Sequence, residues 1–381
     1  MAGRLPLRCV VLPPAPAPYR EPLFHALAQR LELQVVYQSA SQPSWDVGAN
    51  WFAREHTYPA THLRSRQRRR PGRTPIVWSQ GIERALSAAE PDCVVASEYG
   101  PASLRSLVWC RSHGRAYVIF TECTSEIDAL LSRPQLAMHR RLARHADGVI
   151  AVSSRARERL ERFGVAGERI GVALQSADLG PVRAACDGVR RDADGPLRVL
   201  AVARLVPDKN LPALIAAFRA SGLSAGGGRL RIVGTGFLEQ DLRQLASRLG
   251  VDVELPGAVA PADMPGEYAR ADVFTAVSTY EPFGVAIREA AAAGLPIVAS
   301  RLAGAVGDVA IAERNALLVD PASVDEIATA LARLAGDAPL RARMGAESRA
   351  IDANTDGRDV DAYAGVVLAA ARRRGRLRSA A

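Results

Sequence analysis

From residue 197 onward, short apolar runs alternate with longer stretches of helical period. LRVLAVA (197–203), RLRIVG (229–234), VDVELPG (251–257), DVFTAVS (272–278) and LPIVAS (295–300) are too short and too continuously apolar for surface helices. They read as buried strands. Between them, LPALIAAFRA (211–220), LEQDLRQLASRLG (238–250), PADMPGEYARA (261–271) and GVAIREAAAAG (284–294) carry apolar residues at helical spacing. LLV (317–319) and the helices SVDEIATALARLAG (323–336) and PLRARMGAESRA (339–350) follow. Strands alternating with helices of 10–13 residues predict a parallel sheet covered on both faces.

The first half repeats the theme less regularly. LRCVVLP, LQVVY, PDCVVAS, RAYVIFT and DGVIAVS read as strands, and REPLFHALAQRL, PASLRSLVWCRSH, QLAMHRRLARHA and SRARERLERFG as helices. Residues 39–73 have no clear period and read as an acceptor-facing insertion or a mobile loop. Residues 181–196 are polar, contain Gly and Pro, and are aperiodic, which predicts an interdomain linker there. The expected organisation is a first Rossmann-like domain over 1–180, the linker over 181–196 and a second Rossmann-like domain over 197–355. A C-terminal helix and basic tail over 356–381 are expected to pack back on the first domain. Two such α/β domains are expected to face each other across a cleft, with ligands beyond the carboxyl ends of the strands.

The 381 residues suit two domains, and 48% hydrophobic with 23% charged residues suits a globular chain. No apolar run is long enough to span a bilayer, and the N-terminal run, broken by prolines, reads as a first strand rather than a secretion signal. Five widely spaced cysteines without a CxxC argue against a disulfide framework or zinc site and for a reducing cytoplasm. The net charge of +9 is concentrated in Arg64 to Arg73 and Arg372 to Arg378. Either these are a solvated loop and tail, or the first is a peripheral contact with anionic membrane at its inner face. Nucleic acid is not expected, because the first run lacks interleaved aromatics for base stacking. The excess of Arg over Lys and the abundant Ala point to a GC-rich bacterial coding sequence.

Against that background Lys209 is the only lysine, beside 48 arginines. It stands five residues after Arg204, past the end of the strand 197–203. After the next strand comes Gly234-Thr235-Gly236, and after DVFTAVS comes Glu281-Pro282-Phe283-Gly284 opening a helix, with Glu289 eight residues beyond Glu281. A glycine turn and a helix N-terminus bring backbone N–H groups to a phosphate, while Arg204 and Lys209 add full charges. Two cations and a glycine turn suit a leaving diphosphate. Glu289 suits the vicinal hydroxyls of a ribose, and Glu281, nearer the expected cleft, those of a hexose.

R-L-V-P-D-K is similar to the R-x4-K motif of retaining glycosyltransferases of family 4, and Glu281 to Glu289 to their E-x7-E motif. The resemblance continues through EAAAAGLPIVAS, AGAVGDV, NALLVDP and RARMGAESRA, and covers essentially all of 197–350. It implies an α/β chain of GT-B fold and a hexosyltransferase-like activity. The donor is a nucleotide sugar, used as substrate rather than cofactor, with UDP, GDP and dTDP unresolved. The acceptor is a hydroxyl of a small molecule, secondary metabolite or envelope saccharide. It also implies that Arg204 and Lys209 neutralise the diphosphate without a metal and that Glu289 binds ribose and Glu281 the donor sugar. Gly234 and Gly236 would sit by the nucleotide, and the amides of Phe283, Gly284 and Val285 by sugar and phosphate. The alternative is a GT-B protein that binds a nucleotide sugar without transferring it, because the first half departs from the family. PPAPAPYR replaces a glycine-rich loop, Gln175-Ser176-Ala177-Asp178 replaces N-G-V-D, and Glu122 stands where many members have His. Glu122 is open to three roles: general base, stabiliser of positive charge on the sugar, or acceptor contact. Glu98 is a second candidate there. Tyr19 and Arg20 contact substrate or cap a helix, and His56 and His62 are candidates for facing an acceptor. The Asp192/Asp194 and Asp359/Asp361 pairs read as solvated, not metal-binding.

Overall fold

CVVAS (93–97) and AYVIFT (116–121) contain no outward polar alternation, and both strands are buried along their full length. Only a parallel strand covered on both faces tolerates that pattern. In the computed structural model, which describes residues 7–41, 56–70, 73–189 and 195–376, they lie at the centre of a seven-stranded sheet. The chain divides into two units, Met1–Ala177 with Gly357–Ala381, and Asp178–Asp356.

In the first unit, β1 (Arg8–Leu12), α1 (Glu21–Ala28), β2 (Glu32–Tyr37) and β3 (Ala60–His62) are followed by β4 (Ser65–Arg70) and β5 (Arg73–Ser79). Then come α2 (Ile82–Ala89), β6 (Cys93–Ser97), α3 (Pro101–Ser112), β7 (Ala116–Thr121), α4 (Arg133–His145), β8 (Gly148–Ala151), α5 (Ser154–Arg162) and β9 (Ile170–Val172). The sheet order is β3-β2-β1-β6-β7-β8-β9, all parallel, with Cys9 opposite Cys93 and Val95 opposite Val118. The order reverses between β1 and β6, which creates the crevice that binds ligands in such sheets.

The second unit contains α6 (Gly180–Cys186), β10 (Arg198–Val202), α7 (Leu211–Ala220), β11 (Arg229–Val233), α8 (Glu239–Leu249), β12 (Val253–Glu254) and α9 (Met264–Arg270). These are followed by β13 (Val273–Ala276), α10 (Val285–Ala292), β14 (Ile297–Ser300), β15 (Ala316–Val319), α11 (Val324–Gly336) and α12 (Ala338–Thr355). Its parallel order, β12-β11-β10-β13-β14-β15, is that of a dinucleotide-binding fold, with the switch between β10 and β13. One face of the sheet packs on its helices through Val199, Leu214, Ile215, Phe218, Ile232, Val298 and Leu331. The final helix, α13 (Arg358–Arg373), returns to the first unit and lies on β7, β8 and β9, where Arg374 pairs with Asp147 at 2.9 Å.

Three sequence expectations change. The expected linker contains α6, because Pro181 opens a helical turn and Val182 and Cys186, one turn apart, are buried; it belongs to the second unit and packs on α9. Only residues 190–194, with Asp192 and Asp194, lie outside the described part of that stretch. Residues 39–73, read as aperiodic, supply the edge strand β3 and β4, which pairs antiparallel with β5, while 42–55 and 71–72 lie outside the described residues. Asp359, read as solvated, is buried at the start of α13, whereas Asp361 is exposed and pairs with Arg30.

Candidate active site

Where β10 ends, its pairing with β11 continues into the following loops. The amides of Ala203 and Leu205 donate to the carbonyls of Val233 and Thr235 at 3.0 and 2.8 Å. This ladder presses Gly234 and Gly236 against the neighbouring loop: a Cβ on them would stand 2.0 Å from the Ala203 carbonyl oxygen and 2.3 Å from that of Leu205. No other residue fits either position without moving backbone. Arg204 sits on this ladder with its side chain exposed.

Pro207–Lys209 then form one 3-10 turn, and Asn210, at φ +56°, starts α7. Its Nδ2 donates to the carbonyls of Val277 and Pro321 at 3.1 and 2.7 Å, and the Thr279 amide donates to the Asp208 carbonyl at 2.9 Å. The R-x4-K loop is thus tied to the loop leaving β13, across the switch point. The consequence is a contact between Lys209 and Glu281: Nζ donates to Oε2 at 2.5 Å, with the side chains 13% and 16% exposed. The hydroxyl of Ser278 donates to the same oxygen at 3.3 Å. Lys209, Ser278, Glu281 and Gly284 line one hollow over the sheet.

The loop after Glu281 is braced from behind. The amides of Gly304 and Ala305 donate to the carbonyls of Glu281 and Phe283, both at 2.9 Å, and Phe283 is buried. Gly284, at φ +100°, caps α10, whose first amides have no acceptor within the helix. Glu289 lies one turn into α10, and its Oε2 accepts from the hydroxyl of Tyr268, fully buried on α9, at 2.5 Å. Burial raises the Glu289 carboxyl above its ordinary range, and the Tyr268 bond offsets part of that rise. Sequence reading brought Arg204, Lys209, Gly234, Glu281 and Glu289 to these strand ends but missed Ser278, Tyr268 and Gly304. The signal for Ser278 was its place at the end of DVFTAVS and for Gly304 its place in AGAVGDV; Tyr268 had none.

Glu122 belongs to the first unit, at the carboxyl end of β7. Its Oε1 accepts from Arg20 Nη2 at 2.5 Å and from Gln175 Nε2 at 2.9 Å, and the side chain is 25% exposed. Arg20 is buried, with its guanidinium 5.5 Å from the ring centres of both Tyr19 and Phe120. Arg20 stands at the N-cap of α1, but its side chain makes no capping bond and is spent on Glu122 instead. Glu98, beyond β6, accepts the Glu122 amide on Oε1 at 2.6 Å, and on Oε2 the Thr121 hydroxyl at 3.0 Å and the Cys123 thiol at 3.2 Å. Arg20, Ser97, Phe120, Gln175 and Ser176 line a hollow at this unit's own switch point. His56 is used internally: it meets Glu21 at 3.1 Å and stacks with Tyr58, while His62 stacks on Tyr37.

Two parallel α/β units with charged side chains gathered at their switch points define a chain of GT-B fold. HepE of Anabaena, in complex with UDP and glucose, matches with a TM-score of 0.72 at 21% identity, over 97% of this chain and 100% of that one. Sucrose-phosphate synthase of Thermosynechococcus elongatus matches with a TM-score of 0.72 at 18% identity, over 95% and 96%. Residues 188–351 match the family model described as "Glycosyl transferases group 1", and residues 23–178 the one described as "Glycosyltransferase Family 4". The chain belongs to glycosyltransferase family 4. The GDP-mannose-dependent alpha-(1-6)-phosphatidylinositol monomannoside mannosyltransferase of Mycobacterium tuberculosis strain H37Rv is 36% identical over 160 residues, which are 40% of this chain and 41% of that protein. The putative colanic acid biosynthesis glycosyltransferase WcaL of Escherichia coli is 30% identical over 202 residues, 51% of this chain and 49% of its own length.

Proposed function

We propose that this chain is a retaining, metal-independent glycosyltransferase that moves a sugar from a nucleoside-diphosphate sugar to a hydroxyl of an acceptor. The observation that carries this reading is the Lys209–Glu281 contact at the β10/β13 switch point, flanked by Arg204 and the Gly234–Gly236 turn. In the reaction, the bond from the sugar's anomeric carbon to the diphosphate breaks and a bond to the acceptor oxygen forms. The acceptor's proton passes to the departing phosphate. Lys209 and Arg204, with the first amides of α10, meet the charge that grows on the diphosphate, and such preorganised donors act most strongly in the transition state. Glu281 holds Lys209 in place before the donor arrives and takes hydroxyls of the donor sugar. Glu289, set by Tyr268, takes the ribose. Glu122, whose Oε1 is taken by Arg20 and Gln175, serves as an acceptor contact.

The test is a thermal-shift screen with UDP-glucose, GDP-mannose and a dTDP-sugar, followed by turnover with a panel of alkyl glycosides as acceptors. The first two donors come from what the HepE structures and the mycobacterial relative contain or use. Stabilisation with acceptor-dependent release of nucleoside diphosphate supports the reading. Stabilisation without release under any acceptor favours a nucleotide-sugar-binding protein.

The acceptor class is envelope-like, and the place of work is an anionic membrane surface. Arg64 and Arg66 of the Arg64 to Arg73 run are exposed. So are Trp78 on β5 and, one turn apart on the adjoining α3, Leu104 and Val108. Among the described residues no helix is long and apolar enough to cross a membrane. Peripheral attachment predicts salt-sensitive co-sedimentation with phosphatidylglycerol vesicles, lost in Arg64→Ala/Arg66→Ala/Trp78→Ala; equal sedimentation of that variant refutes it.

A further inference from the structure

One carboxylate in the first unit collects a donor from each of three consecutive residues. Glu98 takes the hydroxyl of Thr121, the amide of Glu122 and the thiol of Cys123, the residues through which the chain leaves β7. Glu98 itself stands at φ +60°, a left-handed conformation that a non-glycine residue holds only when its surroundings over-determine it. The surroundings do so: its amide donates to the Phe120 carbonyl at 2.8 Å, and the Ser103 hydroxyl donates to the Glu98 carbonyl. The strained backbone turns the carboxylate back across the end of β7. On the far side, Arg20 and Gln175 both bond to Glu122 Oε1. Among the described residues no hydrogen bond ends on Glu122 Oε2, and the side chain keeps a quarter of its surface open beside the hollow lined by Arg20 and Gln175.

We propose that Glu98 is the positioning residue for Glu122, locking the Thr121–Cys123 turn so that Glu122 gives Oε1 to Arg20 and Gln175 and presents Oε2 to an acceptor hydroxyl. The last clause rests on the glycosyl-transfer reading above; the first does not. Glu98 is then no second base. Burial and the nearby Glu122 carboxylate raise its pKa to about 7, opposed by its bonds from the Glu122 amide, Cys123 and Thr121. Three of its four lone-pair sites accept from the turn, so it serves chemistry through the residue it aims.

The experiment compares the whole chain with Glu98→Gln, Glu98→Ala, Glu122→Gln and the Glu98→Gln/Glu122→Gln double variant. Its first arm is hydrogen–deuterium exchange of the peptide over 120–124, which needs no substrate. Exchange of the Glu122 amide is expected to rise about tenfold or more in Glu98→Gln, with peptides of the second unit unchanged. Unchanged exchange overturns the positioning role. The second arm is transfer from UDP-glucose or GDP-mannose to octyl glucoside and octyl mannoside. Glu98→Gln is expected to raise the acceptor KM about tenfold with the donor KM unchanged. The double variant is expected to be no worse than Glu122→Gln alone, because a residue acting through Glu122 has nothing left to aim. Losses that multiply overturn the proposal and assign Glu98 its own contact. Absence of any turnover in the wild type refutes glycosyl transfer, while the exchange arm still decides the positioning. Glu98→Gln keeps the volume of the side chain, so a misfolded Glu98→Ala leaves both arms readable.

Discussion

Gly304→Ala is the substitution whose effect follows most directly from coordinates. A Cβ on Gly304 would stand 1.8 Å from the carbonyl oxygen of Pro282, 2.6 Å from its carbon and 2.9 Å from the Cα of Phe283. All three are backbone atoms, so no side chain can swing aside. To reach even a 3.0 Å contact the Pro282 carbonyl must retreat by about 1.2 Å. That segment carries Glu281 on one side and Gly284, the cap of α10, on the other. The same displacement strains the 2.9 Å bonds from the Gly304 and Ala305 amides. Overpacking of this kind costs about 1–3 kcal/mol of stability, and a misplacement of about 1 Å in a reacting group costs about 100-fold in rate. The assay pairs thermal unfolding with kcat/KM for donor turnover. We expect Tm to fall by about 2–4 °C per kcal/mol lost and kcat/KM to fall about 100-fold. The control is Gly365→Ala in α13, where a Cβ meets nothing within 4 Å; it is expected to gain up to about 1 kcal/mol and leave turnover unchanged. Wild-type Tm and turnover in Gly304→Ala would refute the claim that the Gly304 loop sets Glu281.

Lys209→Ala is expected to lower kcat by about 10- to 150-fold, from a charge-assisted bond worth about 1.5–3 kcal/mol, with a smaller loss of donor affinity; steady-state kinetics showing the reverse split would place Lys209 in ground-state binding. The raised pKa of Glu289 means that it protonates at a higher pH than an ordinary carboxyl, so UDP or GDP affinity should fall as pH drops. Tyr268→Phe, which removes the opposing hydrogen bond, should move that fall to still higher pH; calorimetric affinities flat from pH 8 to 5.5 in both proteins contradict the ribose role. His139 is buried beside Arg159, with Arg159 Nη2 3.2 Å from its Nδ1, and burial together with the Arg159 charge lowers its pKa to about 4. The folded protein therefore refuses a proton that the unfolded chain accepts below its usual value of about 6.5. Stability is complete above that pH and is lost as pH falls toward 4, by up to about 2 kcal/mol at pH 5. His139→Asn should flatten this slope in urea titrations; an unchanged slope assigns the acid sensitivity elsewhere.

How much of this was legible in the sequence depended on how local the cause was. The strands and helices of the second unit announced themselves because each is a short run with one period. The R-x4-K and E-x7-E spacings placed Lys209 and Glu281 on adjacent loops because strand ends in a parallel sheet come together by topology. Their direct contact at 2.5 Å was not readable, since it depends on Asn210 tying one loop to the other. β4 was hidden because SRQRRR carries no apolar alternation, and α6 because the polar, Gly- and Pro-containing stretch that holds it reads as a linker. Arg20 lay in a proline-rich stretch that reads as a loop, yet its partner Glu122 is 102 residues away. Tyr268 and Glu289, 21 residues apart, and Glu98 and the Thr121–Cys123 turn, 23 to 25 apart, are likewise separated by whole elements. Hydrogen bonds between strand ends leave no pattern in a one-dimensional string.

The central claim, that the β10/β13 switch point holds a nucleoside-diphosphate sugar for transfer with retention, is met most directly by one NMR time course. Wild type and Lys209→Ala are incubated with UDP-glucose or GDP-mannose, the alkyl glycoside panel and EDTA, and the anomeric proton of the product is followed. Wild type is expected to give acceptor-dependent product with the anomeric configuration of the donor, and Lys209→Ala to lose at least tenfold. Inverted product, release that requires a divalent cation, or wild-type rates without Lys209 would contradict the claim.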